Sequence, residues 1–277
     1  MKNLPLVIPL VLSICIVLTG HSQQIAFNTA PFKASVKCTY RFTYQPDSLN
    51  EMSTVSEAAF LFIGNRESEY TTKKNLQMDS TQRVVLARMS INRGAPLSMA
   101  GLPVTSINYR IYKKHDTNTI TTIDKIDIER FRYSELASAM IWQILPERQT
   151  VSGYACQKAL VNYAGRTYEA WFTNELPISD GPYKFSGLPG LIVKITDTRG
   201  YYSFELLSLQ KLTSQLIVPG FMGNVRETSR AEFRQAWLNH RANPFAVLVQ
   251  EGIAVTEEEQ NRYRDKLKRR NNPLELR

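Results

Sequence analysis

The residues of this chain best suited to acid–base or thiol chemistry are few and far apart. Beyond the first 23 positions they are His115, His240, Cys38 and Cys156. His115 lies in Lys113-Lys114-His115-Asp116, a hairpin turn by composition. His240 closes the apolar face of a helical segment. Imidazole accepts protons near neutral pH, so either histidine would be the first base to test in an enzyme. No His, Cys or carboxylate set has zinc-site spacing such as HExxH or CxxC. There is no GxSxG elbow, no P-loop and no GxGxxG after a strand. A Ser/His/Asp or Cys/His site can be assembled from distant positions, because triads are geometric, but nothing in the sequence selects one. The sequence nominates no catalytic residue, cofactor or metal, and points away from an enzyme.

The two cysteines sit in strand-like contexts, Val36-Lys37-Cys38-Thr39-Tyr40 and Tyr154-Ala155-Cys156-Gln157-Lys158. An oxidising compartment permits a disulfide between them. The chain-entropy model values so long a loop at roughly 4 to 5 kcal/mol. Two separate buried thiols are the other reading.

The beginning of the chain sets the expected compartment. Met1-Lys2 is a short positive region, Leu4 to Leu18 an apolar run, and Thr19-Gly20-His21-Ser22-Gln23 a small polar stretch. Residues 1–23 read as a secretory signal peptide. Cys15 sits mid-run after Ile14, the wrong place for a lipoprotein cysteine. No other stretch approaches about 20 apolar residues, so no membrane span is expected in the mature chain. The formal charge of +9 is spread along the sequence and carries no nucleic-acid fold signature. Its 43% hydrophobic and 21% charged content suits a globular fold.

Those residues must be positioned mostly by strands. Ser35 to Tyr44 alternates, with Val36, Cys38, Tyr40, Phe42 and Tyr44 on one face. Ala58 to Ile63, Arg83 to Ile91, Val104 to Tyr112 and Asn118 to Ile128 read as further strands, and Asn92 to Pro96 as a turn. Ser134 to Met140 reads as a short helix or a loop. Tyr154 to Asn162, Thr167 to Thr173, Leu191 to Thr196 and Tyr201 to Leu209 complete an antiparallel meander of about ten strands. The last fifth is helical. Ser229-Arg230-Ala231-Glu232 and Thr256-Glu257-Glu258-Glu259 are capping boxes, and Asn243-Pro244 opens a short helix that Gly252 can end. The expected fold is mainly β with C-terminal helices (α+β), a curved sheet or partial barrel packed by two or three helices. Residues 24–220 form the β domain and 221–277 a helical extension. Aromatic strand residues such as Tyr168, Trp171 and Phe172 either line a concave ligand face or, the favoured reading, fill a core against those helices.

Gly187-Leu188-Pro189-Gly190-Leu191-Ile192 is the most distinctive stretch. Leu188-Pro189-Gly190-Leu191 predicts a type II turn with positive φ at Gly190, feeding a strand. Trp171, Gly181, Pro182, Phe185 and the six residues Gly187, Leu188, Pro189, Gly190, Leu191 and Ile192 read as fold determinants first, with a binding lip as the second reading.

With Gly153-Tyr154-Ala155-Cys156, Gly165-Arg166-Thr167-Tyr168, Gly181-Pro182, Lys184-Phe185 and the ending Asn271-Asn272-Pro273-Leu274-Glu275-Leu276, the chain resembles the GLPGLI family of secreted Bacteroidetes-type proteins. The likeness covers residues 150 to 200 and the tail. It implies export to the periplasm, the outer membrane or outside the cell, and an accessory role beside a TonB-dependent type receptor. It supplies no catalytic residues. The leading expectation is a non-enzymatic envelope protein that binds an apolar or peptide ligand or docks on an envelope partner. A hydrolase of envelope peptides or glycans and a purely structural surface protein are the alternatives.

Overall fold

Alternation along Phe32–Tyr44 makes the strand that organises the molecule. Cys38, Tyr40, Phe42 and Tyr44 point inward and are buried, while Arg41 between them is exposed. The structure, a computed structural model, describes residues 29–91, 107–221, 223–250, 252 and 254–276. The expected signal peptide and the turn at 92–96 lie outside them. In chain order the elements are β1 (Phe32–Tyr44), β2 (Val55–Ile63), β3 (Glu67–Thr72), α1 (Lys73–Ile91), β4 (Arg110–Lys114), β5 (Thr119–Ile126) and β6 (Glu129–Leu136). Then come β7 (Gln143–Val151), β8 (Tyr154–Tyr163), β9 (Arg166–Thr173), β10 (Leu191–Asp197), β11 (Tyr202–Val218) and β12 (Arg226–Glu227). The chain closes with α2 (Arg230–Ala242), α3 (Ala246–Gln250) and α4 (Glu257–Lys268).

All twelve strands join one sheet in the order β12-β6-β5-β4-β3-β2-β1-β11-β10-β9-β8-β7. Neighbours are antiparallel except for the short β12–β6 pair. The fold is therefore mostly β, one open curved sheet with a few helices at its C-terminal end. The curvature is large. Eight strands stand between β6 and β8, so nine flat steps of about 4.8 Å would separate them by about 43 Å. Yet the Tyr163 hydroxyl on β8 donates to Glu135 Oε2 on β6 at 3.2 Å. The ends of the sheet curl toward each other around a filled interior.

Three expectations are corrected here. Arg83 to Ile91 is not a strand: it is the second half of α1, whose Lys, Leu, Gln, Met and Ala content favours helix. The Thr72 hydroxyl accepts the Asn75 N–H at the start of that helix at 3.3 Å. The Val104 to Tyr112 strand shrinks to β4, which starts at Arg110; residues 104–106 lie outside the described set. Ser134 to Leu136 completes β6, and only Ala137–Ala139 turns helically. The strand runs on because Thr119 to Ile126 pairs with it along its whole length.

Both capping boxes form as read. Ser229 and Thr256 accept from the Glu232 and Glu259 N–H groups, and each glutamate returns to its cap N–H. α2 packs on β5 and β6, with Phe233 against Phe131 and Tyr133 at ring distances of 5.6 and 5.2 Å. α4 leans on α2 and on the residue just before α3 through Tyr263, which meets His240 and Phe245.

The aromatic residues fill a core, but the partner that fills it is not the helices. The segment between β9 and β10 and the C-terminal tail enter the curl instead. Phe185 has no exposure and contacts Tyr163, Tyr168, Tyr183 and Phe204 with ring distances of 4.7 to 6.3 Å. Its burial contributes roughly 1.5–3 kcal/mol. The tail adds Leu274 and the Asn272 amide, which donates to Gln45 O at 2.7 Å.

Candidate functional site

The interior plug is built from a few tight constraints. Gly181 to Phe185 turns inward, closed by the Phe185 N–H donating to Pro182 O at 3.1 Å. Tyr183 takes a left-handed φ of 54° at this turn. Gly187 also has a positive φ, 94°. Gly190 does not, so Leu188-Pro189-Gly190-Leu191 is not the type II turn that the residues predicted. Gly190 is required for close approach instead: a Cβ there would lie 2.0 Å from the Thr173 carbonyl oxygen. Leu191 N–H then donates to Leu176 O, and Ile192 N–H to Asp180 O, both at 3.0 Å.

The plug carries charge into the core, and each charge is matched. Asp180 has no exposed side-chain area and pairs with Lys113, itself buried. Lys113 also donates to Gly181 O at 2.6 Å. His115 Nε2 lies 3.4 Å from the other Asp180 oxygen. Burial would raise the Asp180 pKa, but Lys113 and His115 outweigh it and hold the carboxyl at about 2. A histidine resting on a buried carboxylate is the arrangement of a general base. Here Lys113 already neutralises that carboxylate. His115 borders a second cavity of about 370 Å³ with Asn118, Ser179 and Ser186.

Lys184 is the second matched charge. Its ammonium donates to Glu135 Oε1 at 2.5 Å and Glu275 Oε1 at 2.7 Å. Burial alone would discharge it, yet Tyr133 and the Glu275 carboxylate hold its pKa well above the ordinary lysine value. Burial raises Glu275 too, but Lys184 and Arg230 bring it down to about 2. Tyr183 adds a hydroxyl to Glu275 at 2.6 Å. Arg166 makes the third anchor, to Asp197 at 3.0 Å and Asn272 Oδ1 at 2.5 Å. The tail is thus bonded to the plug and to the sheet.

Beside these anchors a cleft of about 280 Å³ opens among β5, β6, α2, the end of α4 and the tail. Its walls are aromatic: Tyr109, Tyr133, Tyr183, Phe233 and Trp237. Asp124 lines it from β5, and burial, opposed by the Lys125 N–H and by Lys184, pushes its carboxyl up to about 7. Arg230, Arg234, Arg241 and Arg270 bring guanidinium groups to the same cleft. Arg241 lies 4.9 Å over the Trp237 ring and donates to Leu267 O at 2.9 Å.

The motif residues take their places as follows. Gly181, Pro182, Phe185, Leu188, Gly190, Leu191 and Ile192 are buried; Gly187 and Pro189 are exposed. None of them lines the aromatic cleft, to which this segment gives only Tyr183. Gly187 instead borders the cavity beside His115. Trp171 is nearly buried, with Nε1 donating to Glu169 at 3.2 Å. Cys38 and Cys156 are free buried thiols with no disulfide between them. They sit on β1 and β8 with three strands intervening in the sheet order. His240 packs on the Tyr263 hydroxyl at 3.2 Å, away from His115. Sequence reasoning passed over Asp124 and the arginines. A usable signal was present: Arg230, Phe233, Arg234, Trp237 and Arg241 recur at helical spacing on one face of α2.

Among the described residues no three His, Cys, Asp or Glu side chains are placed to hold a metal, and no helix is long and apolar enough to cross a membrane.

Residues 162–194, from the end of β8 through the plug into β10, match the model of a family described as a protein of unknown function, Porph_ging. No curated protein matches the chain. Two structures of PNGF-II are similar at 13% identity with a TM-score of 0.49; the alignments cover 75% and 76% of this chain. The chain spans about a third of those proteins, 34% of their length.

Proposed function

We propose that this chain is an exported envelope protein that binds an apolar or peptide ligand in the aromatic cleft without transforming it. The observation that carries the reading is the cleft itself: aromatic walls with a few convergent polar groups, the usual make-up of a small-molecule site. The likeness to the GLPGLI family of secreted proteins supports export and a place at the outer membrane, as accessory to a TonB-dependent type receptor. The purified protein, extracted with organic solvent and analysed by mass spectrometry, should release a bound compound. A Trp237→Ala variant should release much less of it. A clean extract from both proteins, together with no partner recovered by cross-linking in intact envelopes, would leave only a structural role.

One observation favours a second reading, a hydrolase of envelope peptides or glycans: His115 rests on buried Asp180 at the mouth of the second cavity. Turnover of an envelope extract that disappears in His115→Ala would establish it. Turnover that is absent in the parent, or unchanged in the variant, removes it.

A further inference from the structure

We infer that Arg241 and Arg270 form a carboxylate-binding subsite at the mouth of the cleft, selecting a ligand that joins an anionic carboxylate to an apolar body. This rests on the cleft being the ligand site and names what it takes.

The charges lining the cleft do not balance. Arg230 and Glu275 neutralise each other at 2.9 Å within the Lys184 cluster. Arg234, Arg241 and Arg270 remain, and among the described residues none of them lies within ion-pair distance of a carboxylate. Arg234 donates to the Leu276 carbonyl, and Arg241 to Leu267 O at 2.9 Å. Those contacts orient the guanidinium groups without cancelling their charge. Arg241 is also half-buried against Trp237, and burial together with the adjacent Arg270 cation pulls its pKa down. Two cations that line one partly dry cleft repel each other, and a bound anion relieves that repulsion. The planar guanidinium fork suits a carboxylate, and that of Arg241 is held against Trp237 and the Leu267 carbonyl before a ligand arrives. Much of the remaining wall beside the two cations is apolar or aromatic. Trp237, Phe233 and Leu267 lie beside the arginines, so the ligand needs an apolar body of modest size next to its acid. Among the described residues Asp124 is the one acid lining the cleft outside the Lys184 cluster, and below about pH 7 it is largely protonated and does not oppose the anion.

Titration calorimetry at about pH 6 tests this with two carboxylates and their neutral counterparts: N-acetyl-tryptophan against its amide, and decanoate against decanol. At least one acid should bind about tenfold more tightly than its neutral partner, the size of a charge-assisted contact. Which acid wins separates a peptide terminus from a fatty acid. Arg270→Gln changes an exposed side chain and should fold normally; it should weaken the acid about tenfold and leave the neutral partner unchanged. Arg241→Gln should do the same. If acids and neutral partners bind equally and both variants match the parent, the subsite is overturned while the cleft stands as a ligand site. If no probe binds, the subsite and the reading of the cleft fall together.

Discussion

Gly187 and Gly190 stand three residues apart and are needed for different reasons. Gly187 has a positive φ, and a Cβ there would meet only the Trp142 ring at 3.8 Å. Gly187→Ala should therefore cost about 1–2 kcal/mol, the left-handed penalty. Gly190→Ala drives a methyl into the Thr173 backbone, which yields only if β9 and β10 separate. It should cost roughly 3 kcal/mol or more. Urea midpoints that rank the two variants the other way would mean that the close approach to Thr173 is not what requires glycine at position 190. Asp124 gives a second test at this scale. Its folded pKa of about 7 lies above the ~4 of an unfolded aspartate. Between those values the folded state holds the extra proton, so this group lowers stability as pH rises from about 4 to about 7. Asp124→Asn should be more stable than the parent by up to about 4 kcal/mol at pH 8, with the gap closing toward pH 4. Equal stability at both pH values would show that the carboxyl is not perturbed.

At the scale of elements, the tail and the plug hold each other. Glu275 joins Lys184, Arg230 and Tyr183, and its folded pKa of about 2 lies below the unfolded ~4.3. Its contribution is fully present above pH ~4.3 and is lost as pH falls toward 2. Glu275→Gln should destabilise by about 3 kcal/mol at pH 7, because Lys184 keeps only Glu135. The difference between variant and parent should shrink on acidification. A constant difference down to pH 2 would mean shape, not charge, is what Glu275 supplies. The strands and helices themselves were largely legible. Alternation marked β1, and serine or threonine followed three residues later by glutamate marked α2 and α4. The misreading of Arg83 to Ile91 came from Val84-Val85, β-branched residues inside a segment whose other residues favour helix. β3 went unnoticed because its six residues, Glu67–Thr72, are mostly polar; its Glu69 is buried by pairing with Arg110 on β4 at 2.8 Å.

For the molecule as a whole, one curled sheet with a shared interior should unfold as a unit, and the two cysteines of the described residues, Cys38 and Cys156, can report it. Burial and nearby Asp180 push the Cys38 thiol up to about 12, and burial pushes Cys156 up to about 11. Protein prepared from residue 24 onward, without Cys15 and without reductant, should show two thiols toward a disulfide-exchange reagent in denaturant and none at first in buffer. In buffer both should react at the rate of global unfolding. Zero thiols in denaturant would mean a disulfide. Fast labelling of Cys156 alone would mean that the β7–β8 end opens separately.

Local patterns are written in the chain, because strand alternation, capping boxes and turn residues act over a few positions. They determined by themselves the mostly β meander, the helical end and the need for glycine in Gly187–Ile192. Where those pieces meet was decided by the tertiary structure. Glu135 and Tyr163 are neighbours only because the sheet curls, and Lys184 finds Glu275, 91 positions further along the chain, only once the chain between them has folded. The cleft depends on the same long-range closure, since no single element carries both its arginines and its Asp124. Burial and charge pairing act through space, so no local window of sequence could contain them.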